Sequence, residues 1–363
     1  MRLTRREFVA TAFVVAASAR AGRAQQKRVR TIVGTGTAGS QADPIDAARA
    51  LVNNPYGVVI GPDGALYFCE VDTGRTRRLD LASGRLTTIA GNGRKAYAGD
   101  GGPALAASFS APHEIRFDAT GNLFIVERDA HVVRRIDART NLVSTLAGIG
   151  TAGFSGDGGP AASAQFRMPH SIAFDASGHL LICDIANSRI RAVDMKTGLV
   201  RTYAGTGQRG ATPDEGPLEG APLNGPRSID TDADGNVYLA LREGNTVFRI
   251  DRRTERLTRI AGTGETGYAG DGGPATAAKL NGPKGIAYSP DSSVYIADTE
   301  SHVIRRIDLK TGTITTVMGT GARGDGPDGE PLGCRLARPH GVFLSRGVLY
   351  VTDSENHRIR VLE

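Results

Sequence analysis

The chain has 363 residues, of which 40% are hydrophobic and 23% are charged, and this balance excludes a disordered polypeptide. Glycine supplies 48 residues, about 13% against an average near 7%, without a collagen-like triplet period, which indicates many tight turns. The formal net charge of +6 is a weak argument for nucleic-acid binding, because residues 1–24 contribute +4 of it. A chain that begins at Gln25 carries only about +2.

The first 24 residues have the pattern of an export signal. Arg5 and Arg6 form a twin-arginine motif, and an apolar, alanine-rich run follows at residues 8–19. This run is shorter than the ~20 apolar residues that span a bilayer, so no membrane insertion is expected. The pattern predicts a signal peptide at 1–24 and a mature chain of 25–363 in the periplasm of a bacterium or secreted from it.

Sequence markers recur beyond this segment with a period of 57 residues. Each of six units opens with the pattern Pro-x-x-hydrophobic, and these prolines are Pro55, Pro112, Pro169, Pro226, Pro283 and Pro339. Successive prolines are 57 residues apart, except that the last spacing is 56. Within a unit, as in residues 112–150, four short β-rich runs alternate with turn residues. Each unit is therefore predicted to be a four-stranded antiparallel meander.

Six such units in tandem, with no helical period, predict an all-β fold, a six-bladed β-propeller. The ends of the chain also match each other. The run at residues 28–34 has the pattern of the fourth strand of the other units, whereas the last unit stops after its third strand at Glu363. The N-terminal strand is therefore predicted to complete the last blade, which removes an open sheet edge, and a monomer is expected.

The three cysteines are an odd number for a disulfide framework in an oxidising compartment. Cys69 and Cys183 occupy the same position of two different repeats, 114 residues apart. They are predicted to be small buried residues on separate blades. Cys334 lies in a loop rich in glycine and proline, and it is predicted to be a free thiol.

The repeats resemble those of the NHL-repeat β-propellers, and the resemblance extends over residues 29–363. It rests on PKGI at 283–286, YIADTESHVIRRID at 295–308 and VTDSENHRIRVLE at 351–363, together with three connectors that contain GDGGP. The fourth unit departs from the pattern, because it has Leu241 where the others have an acidic residue and its connector lacks GDGGP. The resemblance implies a binding module that presents its loop-rich top face to a protein or a small anionic ligand.

The residue after each marker proline lies at the start of the innermost strand. It is predicted to line the mouth of the central channel on the top face. This ring consists of Tyr56, His113, His170, Arg227, Lys284 and His340. The following position carries Glu114 in one blade and small residues in the others, which are expected to leave the mouth of the channel open. Cationic donors beside a tyrosine suit the recognition of an anion.

A second hypothesis is a metal site. His113, His170 and His340 offer imidazoles to zinc or another divalent metal, with Glu114 as an extra ligand or a base. The peptidyl-amidoglycolate lyases are similar in drawing zinc ligands from Pro-His-Ser starts of inner strands, which Pro169-His170-Ser171 matches. The resemblance implies a metal-dependent lyase or hydrolase as the alternative function, and it leaves open whether the protein is an enzyme.

The remaining polar motifs favour structural roles. Histidines also occur in loops between second and third strands, at His131, His302 and His357. An acidic series, predicted to cap loops or to pair with arginines of the third strands between blades, consists of Glu70, Glu127, Asp184, Asp298 and Asp353. The aspartates of the GDGGP connectors, expected to bond local backbone N–H groups or to hold calcium, are Asp100, Asp157 and Asp271. The predicted export and the small mature charge disfavour RNA binding.

Overall fold

A computed structural model describes residues 26–363, which form six antiparallel sheets around a central axis. The predicted signal peptide lies outside the described residues. Within those residues, the only helical elements are single 3-10 turns, so the fold is the predicted all-β, six-bladed propeller. No helix of the described part is long and apolar enough to cross a membrane.

The strands are numbered in chain order from β1 (Val29–Val33) and β2 (Ile45–Asp46). Blade 1 comprises β3 (Pro55–Ile60), β4 (Leu66–Glu70), β5 (Arg75–Leu79) and β6 (Arg85–Ala90). Blade 2 comprises β7 (Pro112–Phe117), β8 (Leu123–Glu127), β9 (Val132–Ile136) and β10 (Val143–Ala147). Blade 3 comprises β11 (Pro169–Phe174), β12 (His179–Asp184), β13 (Arg189–Asp194) and β14 (Val200–Ala204).

Blade 4 follows the short β15 (Glu215–Pro217) and comprises β16 (Pro226–Thr231), β17 (Val237–Leu241), β18 (Thr246–Asp251) and β19 (Arg256–Ala261). Blade 5 comprises β20 (Pro283–Ser289), β21 (Ser293–Asp298), β22 (Val303–Asp308) and β23 (Thr313–Met318). Blade 6 comprises β24 (Val342–Ser345), β25 (Val348–Asp353) and β26 (Arg358–Leu362), with β1 as its fourth strand.

The ring of blades closes as the sequence predicts. Strand β1 pairs antiparallel with β26, with Val29 opposite Leu362 and Arg30 opposite Val361. The first strands of successive blades pack side by side around the axis. Because β1 and β26 belong to one sheet, β26 is paired on its outer side. This pairing closes the circle of blades.

Hydrophobic cores lie between the blades rather than within them. Six clusters of buried residues each join two neighbouring blades, as where Leu181 of blade 3 packs with Leu239 of blade 4. All three cysteines are buried and free, one in each of three clusters. The loop position of Cys334 therefore does not expose its thiol.

Five blades contain a buried ion pair between the end of the second strand and the third strand. The acids are completely buried, and the pairs are Glu70–Arg77, Glu127–Arg134, Asp184–Arg191, Asp298–Arg305 and Asp353–Arg360. This confirms the predicted pairing with third-strand arginines, but each pair lies within one blade, so the expectation that the pairs connect neighbouring blades is wrong. A buried carboxylate and guanidinium stabilise one another only as a pair, because either alone would lose its hydration without compensation.

The GDGGP connectors supply the outer half of these ion-pair sites, and the expectation that their aspartates bond local backbone is wrong. In blade 2, Asp100 lies 2.6 Å from Arg134, while the ring of Tyr97 stacks 5.0 Å from the guanidinium. Asp157 with Phe154 repeats this arrangement in blade 3, and Asp271 with Tyr268 repeats it in blade 5. The connector is thus a cap over a buried arginine.

Blade 4 replaces the whole set at once. Leu241 and Phe248 stand where the other five blades have the acid and the arginine, and Ala211 stands where blades 2, 3 and 5 have the aromatic residue. Asp214 remains, but it pairs with Arg259 of the outermost strand at 2.6 Å. An apolar pair therefore substitutes for the ion pair, and the connector opens into a cavity of about 280 Å³ beside Ala211.

Candidate functional site

The six side chains that follow the marker prolines meet at the axis on one face of the propeller. The rings of Tyr56 and His340 stack with their centroids 3.9 Å apart, and Tyr56 meets His113 edge-on at 4.8 Å. His113 in turn meets His170 at 4.9 Å, because blades 2 and 3 are neighbours. The predicted ring therefore exists as a set of side chains in mutual contact.

This ring closes the mouth of the channel, contrary to the expectation of an open pore. His113, His170, Arg227, Lys284 and His340 are each at most 6% exposed. The small residues at the next position also have another role. A Cβ at Gly285 would lie 2.2 Å from the carbonyl oxygen of His340, so glycine is required there by the close approach of the next blade.

Each ring histidine is fixed by the backbone just before it. Its Nδ1 donates to the carbonyl oxygen two residues upstream, from His113 to Ala111 at 2.9 Å, from His170 to Met168 at 2.6 Å and from His340 to Arg338 at 2.8 Å. These upstream residues adopt left-handed backbone conformations with φ near +50°, which turn the carbonyl toward the ring. Nε2 is consequently left as a hydrogen-bond acceptor on each histidine.

The environment keeps these imidazoles neutral. Burial holds the pKa of His113 and of His170 well below 6.5, and the nearby positive charge of Arg227 lowers both further. Burial also lowers the pKa of His340, with Lys284 as the next contribution. The positive charge of the ring therefore comes from Arg227 and Lys284 and not from histidine.

Arg227 is the least compensated charge of the ring. Its side chain is 5% exposed, and it makes no ion pair or side-chain hydrogen bond within residues 26–363. Burial lowers its pKa to about 10, so the guanidinium is still charged at neutral pH. Lys284 instead contacts Glu300 at 2.7 Å, and burial lowers the pKa of Lys284 to about 8.

The residues of the ring do not fit the predicted metal site. His340 is separated from the neighbouring His113 and His170 by Tyr56 on one side and by two cations on the other. Glu114 is already bound by Arg116 at 2.6 Å. Across residues 26–363 no three or more His, Cys, Asp or Glu side chains form a group able to hold a metal ion. Metal occupancy stays a prediction, and the geometry does not favour it.

The GDGGP connectors are also poorly suited to bind calcium. The carboxylates of Asp100, Asp157 and Asp271 lie 2.6 to 2.7 Å from buried arginines, and these guanidinium groups carry the positive charge that a cation would otherwise supply. A second cation beside each arginine would be repelled. The connectors therefore have a structural explanation that needs no metal.

A cavity of about 210 Å³ opens on the top face beside the ring, over blades 2 to 4. It is lined by Arg128, Met168, His170, Ile185, Ala186, Arg209, Gly225, Arg242 and Glu243. Arg128 pairs with Asp129, and Arg242 lies 3.3 Å from Glu243. Two of the three arginines are thus partly compensated by exposed carboxylates, while Arg209 has no ion pair within the described chain.

Sequence reasoning missed these three arginines, although a signal for two of them exists. Arg128 and Arg242 occupy the same repeat position, immediately after the second strand, 114 residues apart. The other four blades have Val71, Ile185, Thr299 and Ser354 there. Arg209 lies in the one connector that departs most from the repeat, so its position relative to the ring depends on the fold of that connector.

The loop histidines bridge neighbouring blades. In each, Nδ1 accepts a backbone N–H of the next blade, from Met168 to His131 at 3.1 Å, from Arg338 to His302 at 3.2 Å and from Asn54 to His357 at 3.1 Å. Burial lowers the pKa of all three below 6.5. Each bond requires the neutral imidazole, because a protonated Nδ1 cannot accept.

Changing His131, His302 and His357 together to Asn is expected to reduce the loss of stability at acid pH. In blade 4, Asn245 holds this position, and its Oδ1 accepts the N–H of Gly282 at 2.8 Å without titrating. Because folding lowers the pKa of each histidine, its contribution is complete above about pH 6.5 and is lost as the pH falls below that value. Urea unfolding of both proteins at about pH 7.5 and about pH 5 measures the difference.

A matched control is His179→Asn, since His179 lies in a hairpin and contacts Asp175 rather than a neighbouring blade. The triple variant should lose less stability than the wild type between the two pH values. An equal loss in both proteins would show that the loop histidines do not contribute to the acid sensitivity of the fold.

Comparison with known proteins identifies repeats in the C-terminal part. A Teneurin NHL domain model matches residues 257–337, and an NHL repeat model matches residues 336–362. The chain is 27% identical over 273 residues to protein SUPPRESSOR OF QUENCHING 1, chloroplastic, of Arabidopsis thaliana, covering 71% of the chain and 25% of that protein. It is 26% identical over 350 residues to NHL repeat-containing protein 2 of Gallus gallus, covering 85% of the chain and 47% of the relative.

The chain thus spans less than half the length of these relatives. Among solved structures, it is similar to an auxiliary nutrient binding protein from Bacteroides thetaiotaomicron, with a TM-score of 0.66 and 16% identity, covering 93% of this chain and 76% of the other. At this identity the likeness concerns the fold alone. The sheet topology shows a six-bladed β-propeller, and within it the NHL models match residues 257–362.

Proposed function

We propose that this propeller is a binding module whose arginine-lined cavity, beside the closed ring, takes a small anionic ligand. The observation that carries the proposal is Arg227, a buried guanidinium without an ion pair or side-chain hydrogen bond within the described residues. Burying an uncompensated charge costs several kcal/mol, roughly, so an anion that approaches it recovers part of that cost.

The charges around the cavity favour a negatively charged ligand. Arg128, Arg209 and Arg242 line it, and the carboxylates in contact with them are those of Asp129 and Glu243. Arg227 and Lys284 add positive charge from the ring. Guanidinium groups bind carboxylates and phosphates through paired, charge-assisted hydrogen bonds, so an excess of arginine selects these groups.

The size of the cavity restricts the ligand to a small molecule or to one anionic group of a larger one. Its volume of about 210 Å³ lies below the range of roughly 300 to 1,000 Å³ that encloses drug-sized ligands. A protein partner would reach it with a single acidic side chain or a chain terminus. The alternative of a metal-dependent lyase or hydrolase lacks a fitting donor set in the ring, and no other observation favours it.

We also propose that the protein acts outside the cytoplasm, as a periplasmic or secreted protein. The support is the twin-arginine pattern at Arg5 and Arg6, followed by a short apolar run. Expression of the full chain with its own N-terminus, followed by cell fractionation, tests this. Replacement of both arginines by Lys should retain the precursor in the cytoplasm, and an unchanged distribution would contradict the proposal.

Calorimetric titration of the purified protein with sulfate and with succinate tests the anion site. Both probes keep a constant charge between about pH 7 and pH 9, so any pH dependence comes from the protein. We expect saturable binding that weakens with added salt, because the attraction is electrostatic. If neither anion binds, the proposed function is wrong.

The affinity for succinate is expected to fall as the pH rises through about 8. Burial lowers the pKa of Lys284 to about 8, so its ammonium is charged below that pH and neutral above it. The loss should be at most about threefold between pH 7 and pH 9, because Lys284 acts on the cavity from the ring as a nearby charge and not as a lining contact. Lys284→Arg, which keeps its charge throughout this range, is the control and should bind equally at both pH values.

A further inference from the structure

The cavity is lined by one hydrogen-bond acceptor that a carboxylate group cannot pair with, the imidazole Nε2 of His170. Its Nδ1 donates to the carbonyl oxygen of Met168 at 2.6 Å, which fixes the proton on that nitrogen. Nε2 therefore carries a lone pair and can only accept. Within the described residues Nε2 of His170 has no hydrogen-bond partner, although His170 is only 6% exposed.

The other two ring histidines differ in this respect. Nε2 of His113 lies 3.4 Å from a guanidinium nitrogen of Arg128, and Nε2 of His340 lies 3.5 Å from Nζ of Lys284. Each of these two acceptors thus already faces a donor of the protein. His170 is the ring histidine that lines the cavity, and its acceptor is left for the ligand.

Resting on the proposed function, we propose that the ligand is a hydroxy acid, whose carboxylate meets the arginines and whose hydroxyl donates to Nε2 of His170. A carboxylate or a sulfate alone has no donor, so it would offer nothing to Nε2, which has no partner among the described residues. A hydroxyl next to the carboxylate supplies the missing donor without changing the charge of the ligand.

An amino acid would also supply a donor, but its ammonium is disfavoured. The cavity places three arginines and one carboxylate, that of Glu243, around the ligand, with Arg227 next to them in the ring. Because Glu243 already lies 3.3 Å from Arg242 and the guanidinium groups are in excess, a positive group would meet net repulsion, whereas a hydroxyl is neutral. The apolar part of the lining, at Met168, Ile185 and Ala186, accommodates a short carbon chain.

Three four-carbon diacids test the inference, namely succinate, malate and aspartate, which carry hydrogen, hydroxyl and ammonium at the same carbon. We expect malate to bind the purified protein about 3- to 12-fold more tightly than succinate, the equivalent of one net hydrogen bond. Aspartate should bind more weakly than malate. Isothermal calorimetry at neutral pH measures the three affinities.

Two variants assign the difference to His170. His170→Phe removes the acceptor and keeps a planar ring, so malate and succinate should bind this variant with equal affinity. His170→Gln offers an amide oxygen as a substitute acceptor and should restore part of the preference. In the wild type, the ¹⁵N resonance of Nε2 of His170 should shift with malate and not with succinate, a change that a merely structural histidine would not show.

The outcomes separate the two proposals. If malate and succinate bind equally to the wild type, or if His170→Phe keeps the preference, the hydroxy acid inference is wrong and the anion site stands. If none of the three acids binds, the anion site itself is wrong, and the inference fails with it.

Discussion

Replacing Arg134 by Phe is expected to lower the free energy of unfolding by about 3 to 5 kcal/mol, because the change leaves Glu127 buried without its partner. Both side chains are completely buried, and Nη1 of Arg134 lies 3.0 Å from Oε1 of Glu127. The guanidinium is also held by Asp100 of the connector at 2.6 Å. Equilibrium urea denaturation measures the effect.

The double variant Glu127→Leu/Arg134→Phe should recover more than half of that loss. It reproduces in blade 2 the apolar pair that blade 4 already contains as Leu241 and Phe248, on the same two strands of the blade. Buried ion pairs are often replaced by apolar residues of similar volume at little cost. One cost remains, because the backbone N–H of Ser110 loses its acceptor on Glu127.

Arg135→Phe is the matched control, since Arg135 lies on the same strand but is partly exposed and pairs with Asp137 at 2.9 Å. It should change stability by less than about 1 kcal/mol. If the double variant is as unstable as the sum of its two single variants, the ion pair and the apolar pair are not interchangeable. The blade 4 sequence would then depend on its divergent connector.

Replacing Arg227 by Met is expected to weaken anion binding and to stabilise the ligand-free protein at the same time. The charge at this position has no ion pair among the described residues, so its removal relieves an uncompensated desolvation. We expect the free energy of unfolding to rise by about 1 to 3 kcal/mol. The affinity for succinate should fall about three- to tenfold, because Arg227 stands beside the cavity and contributes a nearby charge rather than a lining contact.

The opposite signs of these two effects are the informative part. Replacing a residue that only stabilises the fold lowers the free energy of unfolding. Replacing a residue that is retained for ligand binding raises the free energy of unfolding of the ligand-free protein. Arg249→Met serves as the control, because Arg249 is in the same blade, is partly exposed and pairs with Asp251. It should leave both quantities nearly unchanged, and a large destabilisation by Arg227→Met would assign Arg227 to the fold.

The architecture of this protein could be predicted from the pattern of its amino acids alone. A strict period of 57 residues repeats the strands and turns, and these depend on short-range patterns of hydrophobicity and turn residues. The match between residues 28–34 and the fourth strands predicted the closure through β1 and β26. The marker prolines fix the register of the inner strands, so the six residues of the ring could be named without a structure.

The arrangement of the ring and of its surroundings depends instead on how the blades pack against one another. The contact between Tyr56 and His340, which are 284 positions apart, follows from the closure of the circle and its radius. The orientation of His170 depends on a left-handed residue at Met168, and no repeat of residue type marks that conformation. Arg209 reaches the cavity through the connector that departs most from the repeat. Repetition predicts what the blades share, whereas the site depends on where single blades differ and on distances set by packing.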